Sequence, residues 1–230
     1  MDRRQTVFEA DARRDWEVCG CSLVCDESAR VAAPGAHEPT PTPYFVLDEL
    51  FLHVDFDKDS HLLDVGCGTG RVLAYVASRL PGRATGIELD GVLVAHARAW
   101  AQRYPRLDVR CGNVLDEPLA PYTHFYLFNP FDTEVLVKFL DKVEAEATHP
   151  VTLIHMSDNG ERYAYLGRPG WTLEHEGSIQ GCRAEDGSFI PVYGCPQTWS
   201  IWRYIPTDEK ILSATQSTSG ASPNGTAPFH

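Results

Sequence analysis

The chain has 230 residues, with 20 basic and 32 acidic side chains, a formal charge of −12 and 43% hydrophobic residues. That length can bury a sizeable core, and the composition excludes wholesale disorder, collagen-like repeats and a disulfide-dense miniprotein. The acidic balance argues against a nucleic-acid partner held by a broad basic surface, because phosphate affinity comes mainly from Lys and Arg.

From the first residue onward, charges interrupt every apolar run. Glu9, Asp11, Arg13, Arg14, Asp15 and Glu17 leave no signal-peptide core, and no stretch approaches the roughly 18 apolar residues of a membrane span. A cytoplasmic chain without a membrane partner is therefore expected. Residues 1–35 read as an N-terminal arm with a short helix over Phe8–Cys19. Pro39, Pro41 and Pro43 then force an extended path. Phe45, Leu47, Leu50, Phe51 and Val54 mark the apolar face of a helix that starts at Tyr44.

Strand and helix alternate from His61 to about Ser157. The strands are His61–Val65, Ala84–Leu89, Leu107–Cys111, Tyr122–Phe128 and Val151–Met156. Between them lie helices over Arg71–Leu80, stopped by Pro81-Gly82, over Val92–Tyr104, and from the N-cap candidate Asp132 to about Ala147. This rhythm predicts an α/β fold with a doubly wound, mostly parallel sheet. It breaks after Ser157. Thr172–Ile179 and Ile190–Tyr204 read as two long strands joined by the polar stretch Gln180–Ser188, which predicts an antiparallel hairpin closing the edge of a seven-stranded sheet. Trp171, Trp199, Trp202 and Tyr204 cluster there, and packing of the hairpin is favoured over substrate stacking. The predicted organisation is an arm over 1–35, a domain over 36–206 and a disordered tail over 207–230.

Seven cysteines, an odd number, fit reduced thiols. Cys19, Cys21 and Cys25 are crowded, but their spacing lacks the second pair of a structural zinc site, so no metal is expected. Cys182 and Cys195 are candidates to face each other across the C-terminal hairpin.

The strongest chemical signal is Leu62-Leu63-Asp64-Val65-Gly66-Cys67-Gly68-Thr69-Gly70-Arg71. A buried strand runs into a turn with glycine at every second position, and a helix follows. Glycines allow a sharp turn and close approach of a ligand to the main chain, and a helix start attracts negative charge. A dinucleotide loop would read G-x-G-x-x-G, whereas here Arg71 takes the last glycine's place; a Walker loop is absent. About 20 residues on, Glu88 ends the second strand, where an acidic side chain can accept both ribose hydroxyls of a nucleoside. Leu89 would flank the base, and Asn113-Val114 follow the third strand.

This combination resembles motif I of the class I S-adenosylmethionine-dependent methyltransferases, which have a Rossmann-like fold. The resemblance spans roughly residues 40–204 and is most specific at motif I. The Glu-Pro-Thr-x-x-Pro-Tyr lead also resembles a group of bacterial methyltransferases of unassigned substrate and is loosely similar to nucleosome-core histone-lysine methyltransferases. The resemblance implies S-adenosylmethionine as co-substrate, held by Thr42, Tyr44, Asp64, Gly66, Cys67, Gly68, Gly70, Glu88, Leu89, Asn113, Val114 and Asn129. Asn113 stands where the family commonly has an acid, and its amide oxygen can still accept from the adenine amino group. The corner Asn129-Pro130-Phe131 matches in part the Asn-Pro-Pro-aromatic pattern of enzymes acting on amine or ring nitrogen. It implies catalytic roles for Asn129, Pro130 and Phe131, with Phe131 beside the sulfonium; a plain strand-to-helix turn is the competing reading.

A general base is needed only if the acceptor arrives protonated. His155 and Asp132 are candidates, although a histidine in an apolar strand is more often a core residue. The expected reaction is methyl transfer to an amine or other nucleophile of a small molecule or protein, with a neutral or cationic acceptor favoured by the net charge. A non-catalytic S-adenosylmethionine-binding module and an NAD(P)-dependent oxidoreductase are the alternatives.

Overall fold

The computed structural model describes residues 3–24, 41–157 and 161–207. Five α-helices, α1 (Arg3–Cys19), α2 (Tyr44–Phe51), α3 (Arg71–Arg79), α4 (Gly91–Ala101) and α5 (Thr133–Glu146), flank strands β1 (His61–Val65), β2 (Arg83–Glu88), β3 (Leu107–Cys111), β4 (His124–Phe128), β5 (Val151–Met156), β6 (Trp171–Ile179) and β9 (Gln197–Tyr204). Short strands β7 (Gly181–Arg183) and β8 (Phe189–Pro191) form a separate ribbon.

The seven-stranded sheet has the order β3-β2-β1-β4-β5-β9-β6. Strands β1 to β5 pair in parallel, and β9 runs antiparallel to both β5 and β6. The expected doubly wound sheet with an antiparallel C-terminal pair is thus present. Strand order reverses between β1 and β4, the place where open α/β sheets bind ligands beyond their carboxyl ends.

Alternating side chains build a core on each face. Leu62, Ala84, Tyr126, Ile154 and Ile201 pack with Leu47, Leu73, Val76 and Trp100 of α2, α3 and α4. Leu63, Val65, Phe125, Leu127 and Leu153 pack with Leu136, Phe139, Leu140 and Val143 of α5. Local signals explain the helix ends. Asp90 caps α4 by accepting from the Val92 N–H at 2.7 Å. Arg106 takes over the last carbonyls of α3, donating to Val76 O at 2.9 Å and Ala77 O at 2.6 Å.

Several expected boundaries shift. Strand β4 begins at His124, because Tyr122 closes a turn through its N–H to Leu119 O at 3.1 Å. The long strand expected over Ile190–Tyr204 is two strands. Pro191, Gly194 and Pro196 break it, and the Val192 and Tyr193 N–H groups both turn back to Gln180 O at 2.8 and 2.9 Å. The polar stretch between them is therefore a ribbon, in which Cys182 faces Ile190 instead of Cys195. Both cysteines are free thiols. Trp202 stacks on Tyr165 at 4.6 Å and Trp171 lies against Tyr204 at 5.1 Å, so the aromatic cluster is packing.

No described helix is long and apolar enough to cross a membrane. Among the described residues no group of three His, Cys, Asp or Glu side chains is arranged to hold a metal ion. Cys19 is buried, its thiol pushed up to about 12 chiefly by that burial. Cys21 Sγ lies 3.7 Å from His96 Nε2. Cys25, most of the proline-rich lead and the tail beyond Thr207 fall outside the described residues.

Candidate functional site

The turn after β1 depends on glycine. Gly66, Gly68 and Gly70 have φ of 74°, 54° and 93°, a region that costs residues with a Cβ. At Gly66 there is also no spare room, since a Cβ would sit 3.1 Å from Pro130 Cβ. That contact brings the end of β4 against the glycine turn.

The turn is held from several sides. The Gly66 and Cys67 N–H groups donate to Ile87 O of β2 at 2.9 and 3.1 Å. Trp100 Nε1 of α4 donates to Thr69 O at 3.0 Å, and the Thr69 hydroxyl donates to Leu23 O at 2.5 Å. Glu88 then ties the turn to the end of β2. Its Oε2 accepts from the Gly68 N–H at 2.9 Å, and its Oε1 accepts from Leu89 and Asp90 N–H at 2.7 and 3.0 Å. Three backbone donors leave room for roughly one more bond, since a carboxylate has about four acceptor positions. Gly112 N–H donates to Glu88 O at 3.0 Å, joining the end of β3 to the same place.

Asp64, at the end of β1, is 3% exposed. Burial, reinforced by Glu88, pushes its carboxyl well above the usual carboxylate range. Its Oδ2 is buried without a hydrogen-bond partner among the described residues. A group in that state calls for a hydrogen-bond donor, ideally a cationic one. Cys67 lies over Gly86, and burial pushes its thiol up as well, so it is a packing residue with no nucleophilic character.

The helix after the turn is anchored by a buried ionic cluster. Arg71 donates to Asp15 through Nη2 at 2.7 Å and Nε at 3.2 Å, and pairs with Asp11 at 3.5 Å. Tyr44 adds its hydroxyl to Asp15 at 2.9 Å and its N–H to Asp11 at 3.3 Å. Helix α1 is thereby fastened across the start of α3.

Backbone strain gathers at the opposite wall. Among the described residues, Asn129 and Ser157 are the non-glycine positions with positive φ, at 42° and 58°. They follow Phe128 and Met156, which are paired neighbours on β4 and β5. Ser157 donates its hydroxyl to Gln197 Oε1 at 2.7 Å and its N–H to Thr198 O at 2.8 Å. Two adjacent strained corners beside a glycine turn are a functional-site signature.

Part of this segment is similar to known proteins. The family described as "Methyltransferase domain" matches residues 62–145, from β1 to the end of α5. A "probable S-adenosylmethionine-dependent methyltransferase" of Mycolicibacterium smegmatis is 41% identical over 58 residues, 25% of this chain and 21% of that protein. A tRNA1(Val) (adenine(37)-N6)-methyltransferase of Porphyromonas gingivalis is 40% identical over 63 residues, 26% of this chain and 25% of that enzyme. The matches thus span a quarter or less of these relatives' lengths. Among solved structures, an RNA methyltransferase from Salinibacter ruber in complex with S-adenosyl-L-homocysteine superposes with a TM-score of 0.54 at 21% identity, covering 74% of this chain and 95% of that one.

Residues 62–145 match the methyltransferase-domain family, and the fold is shared with a solved RNA methyltransferase.

The expected donor residues fall into three groups. Gly66, Cys67, Gly68, Gly70, Asp64 and Glu88 surround one turn, with Leu89 half-buried just beyond it. Asn113 is exposed after β3, its Oδ1 accepting from its own turn at Leu115 N–H, 3.0 Å, while Val114 is buried. Thr42 Oγ1 lies 2.9 Å from Tyr126 Oη, hydrogen bonded on the face of β4 next to Asp64.

Two expected contacts differ. Tyr44 gives its hydroxyl to the Asp15 cluster, so it fastens helices. Phe131 is buried against Phe139, with ring centroids 6.1 Å apart in the α5-side core; of the corner it is Pro130 that meets the turn. His155 is 1% exposed, with Nδ1 3.0 Å from Tyr165 Oη and Nε2 3.7 Å from Glu161 Oε2. Asp132 stands exposed at the N-cap position of α5. Sequence reasoning missed Ser157 and the Arg71 cluster. Nothing local marks Ser157 as a left-handed corner, and the partners of Arg71 lie 56 and 60 residues away.

Proposed function

We propose that this chain transfers the methyl group of S-adenosylmethionine to an amine nitrogen of a small molecule or a protein side chain. The observation that carries the reading is the joining of the glycine turn to Glu88 at the topological switch point, with Asp64 buried beside it. Glu88 Oε2 accepts from a ribose hydroxyl at the end of β2. The ends of β2 and β3 take the base between Leu89 and Val114. Asp64 faces the ammonium of the donor's amino-acid end.

The sulfonium supplies an already activated methyl group. In the transfer, a bond forms between the acceptor nitrogen and the methyl carbon while the carbon–sulfur bond breaks, its electron pair staying on sulfur. The protein's work is alignment and exclusion of water. Pro130 fixes the wall of the turn, and the strained Asn129 corner presents a carbonyl and an amide to the acceptor's N–H groups. Those acceptors favour an amine over an alcohol, because an amine has N–H bonds left after aligning its lone pair. The charge of −12 favours a neutral or cationic acceptor over a nucleic acid. The P. gingivalis relative acts on a tRNA adenine nitrogen, but the shared stretch is a quarter of that enzyme.

The test is incubation of the purified chain with methyl-labelled S-adenosylmethionine and a matched panel of amines, alcohols, lysine-bearing peptides and RNA. Label in amines or lysines supports the proposal. Label confined to alcohols or RNA overturns the acceptor assignment, and donor binding without transfer to any class favours a binding module.

A further inference from the structure

Just past the β7–β8 ribbon lies another buried polar atom without a hydrogen-bond partner among the described residues, the Tyr193 hydroxyl. The ribbon ends where the Val192 and Tyr193 N–H groups both close onto Gln180 O. Its tip is tied to α1 by Arg3, which pairs with Asp186 at 3.4 Å and bonds Ser188. At its root there is no freedom, because a Cβ on Gly181 would collide with Ile190 O at 1.9 Å. This fixed hairpin packs Tyr193 against the same core face as Tyr126 and Cys67.

Tyr193 Oη is buried and has no hydrogen-bond partner among the described residues, like Asp64 Oδ2. Tyr126 connects the two. It is the paired neighbour of Asp64 across β1 and β4, and its phenol lies within electrostatic reach of both Asp64 and Tyr193. The Tyr193 phenol is pushed up by burial and then by Asp11, so at neutral pH it keeps its proton and is a donor; Arg71 lies within electrostatic reach. A buried acceptor and a buried donor flanking one site, with a guanidinium close to the donor, suit a zwitterion.

We propose that Tyr193 recognises the donor's amino-acid end, its hydroxyl donating to the α-carboxylate while Asp64 accepts from the α-ammonium. The inference rests on the donor site argued under Proposed function. It makes the ribbon part of donor recognition, beyond the βα segment matched by the family.

The test is calorimetric titration with three probes: S-adenosylhomocysteine, decarboxylated S-adenosylmethionine, which keeps the ammonium, and 5′-methylthioadenosine, which lacks the whole amino-acid end. Tyr193→Phe removes one oxygen and keeps the ring, and unchanged melting would show an intact fold. For this variant, S-adenosylhomocysteine should weaken by about tenfold or more and the other two probes should stay within about twofold, the pattern of one lost bond to a charged group. Asp64→Asn should weaken both ammonium-bearing probes and spare 5′-methylthioadenosine. If Tyr193→Phe leaves S-adenosylhomocysteine unchanged, or weakens all three probes alike, the inference is overturned. If the wild-type chain binds none of the probes, it is the donor-site reading itself that fails.

Discussion

The Gly68 N–H and the Glu88 carboxylate meet at 2.9 Å, so one hydrogen bond joins the glycine turn after β1 to the end of β2. The residue proposed to read the ribose is therefore also the residue that shapes the turn. Glu88→Ala should weaken S-adenosylhomocysteine binding by about 1–3 kcal/mol, the range for lost hydrogen bonds to a charged group. Glu88→Gln should recover part of that loss, because its amide oxygen can still accept from Gly68. Titration calorimetry on both variants checks this, and an unchanged dissociation constant for the alanine variant would remove Glu88 from the site.

Gly86 is needed for space. A Cβ there would lie 2.6 Å from Cys67 Sγ and 3.0 Å from Leu73 Cδ1. Gly86→Ala should destabilise the fold by about 1–3 kcal/mol through overpacking. Cys67→Ala removes the colliding sulfur but keeps the Cys67 Cβ at 2.8 Å, so the double variant should recover part of the loss and be more stable than the sum of the single changes allows. Denaturant unfolding of the four proteins measures the coupling, and strict additivity would contradict the contact.

The Arg71 cluster predicts a tether between α1 and the site. Asp15 is fully buried and accepts from Arg71, Tyr44 and the Leu23 N–H. Asp15→Ala should cost about 3–5 kcal/mol, because it leaves a buried guanidinium poorly compensated. Proteolysis within residues 3–24 should accelerate in parallel with the loss in denaturant stability. A loss below about 1 kcal/mol, well under the range for a broken buried pair, would show that α1 is held by apolar packing alone.

Two buried groups give opposite pH signatures. His124 is held down at about 4, from an ordinary 6.5, chiefly by burial. As pH falls from 6.5 towards 4 the unfolded chain takes up a proton that the folded chain refuses, so this residue's contribution to stability is lost over that window. Asp11 is raised to about 6, from 3.8, again chiefly by burial. Its stabilising effect is complete below 3.8 and is lost as pH rises through 6. Relative to wild type, His124→Gln should therefore gain stability as pH falls through its window, by up to about 1.4 kcal/mol per pH unit. Asp11→Asn should lose relative stability over 6 to 3.8. Unfolding curves at half-unit intervals check both signs, and parallel pH profiles for wild type and variants would contradict the burial of these groups.

Much of the fold was legible because its signals are local. Alternating apolar strands and capped helices between His61 and Met156 announce a parallel sheet, and the spacing from Gly66 to Glu88 places a turn beside a strand-end carboxylate. What was hidden depends on distant partners. Tyr44 reads as a donor contact until α1 is seen to claim its hydroxyl, and Phe131 reads as a wall until α5 is seen to bury it. The ribbon was hidden because Ile190, Val192 and Tyr193 look strand-like in isolation; Pro191 and Pro196 carried the signal that the strand breaks.

The turn between β1 and α3, closed by Glu88, is proposed to hold a sulfonium nucleoside and not a dinucleotide. Competitive calorimetry on the purified chain tests it most directly. S-adenosylhomocysteine should bind saturably, and excess NAD or NADP should leave that binding unaltered. Absence of heat at millimolar S-adenosylhomocysteine, or its displacement by either dinucleotide, would rule out a sulfonium-nucleoside site at this turn.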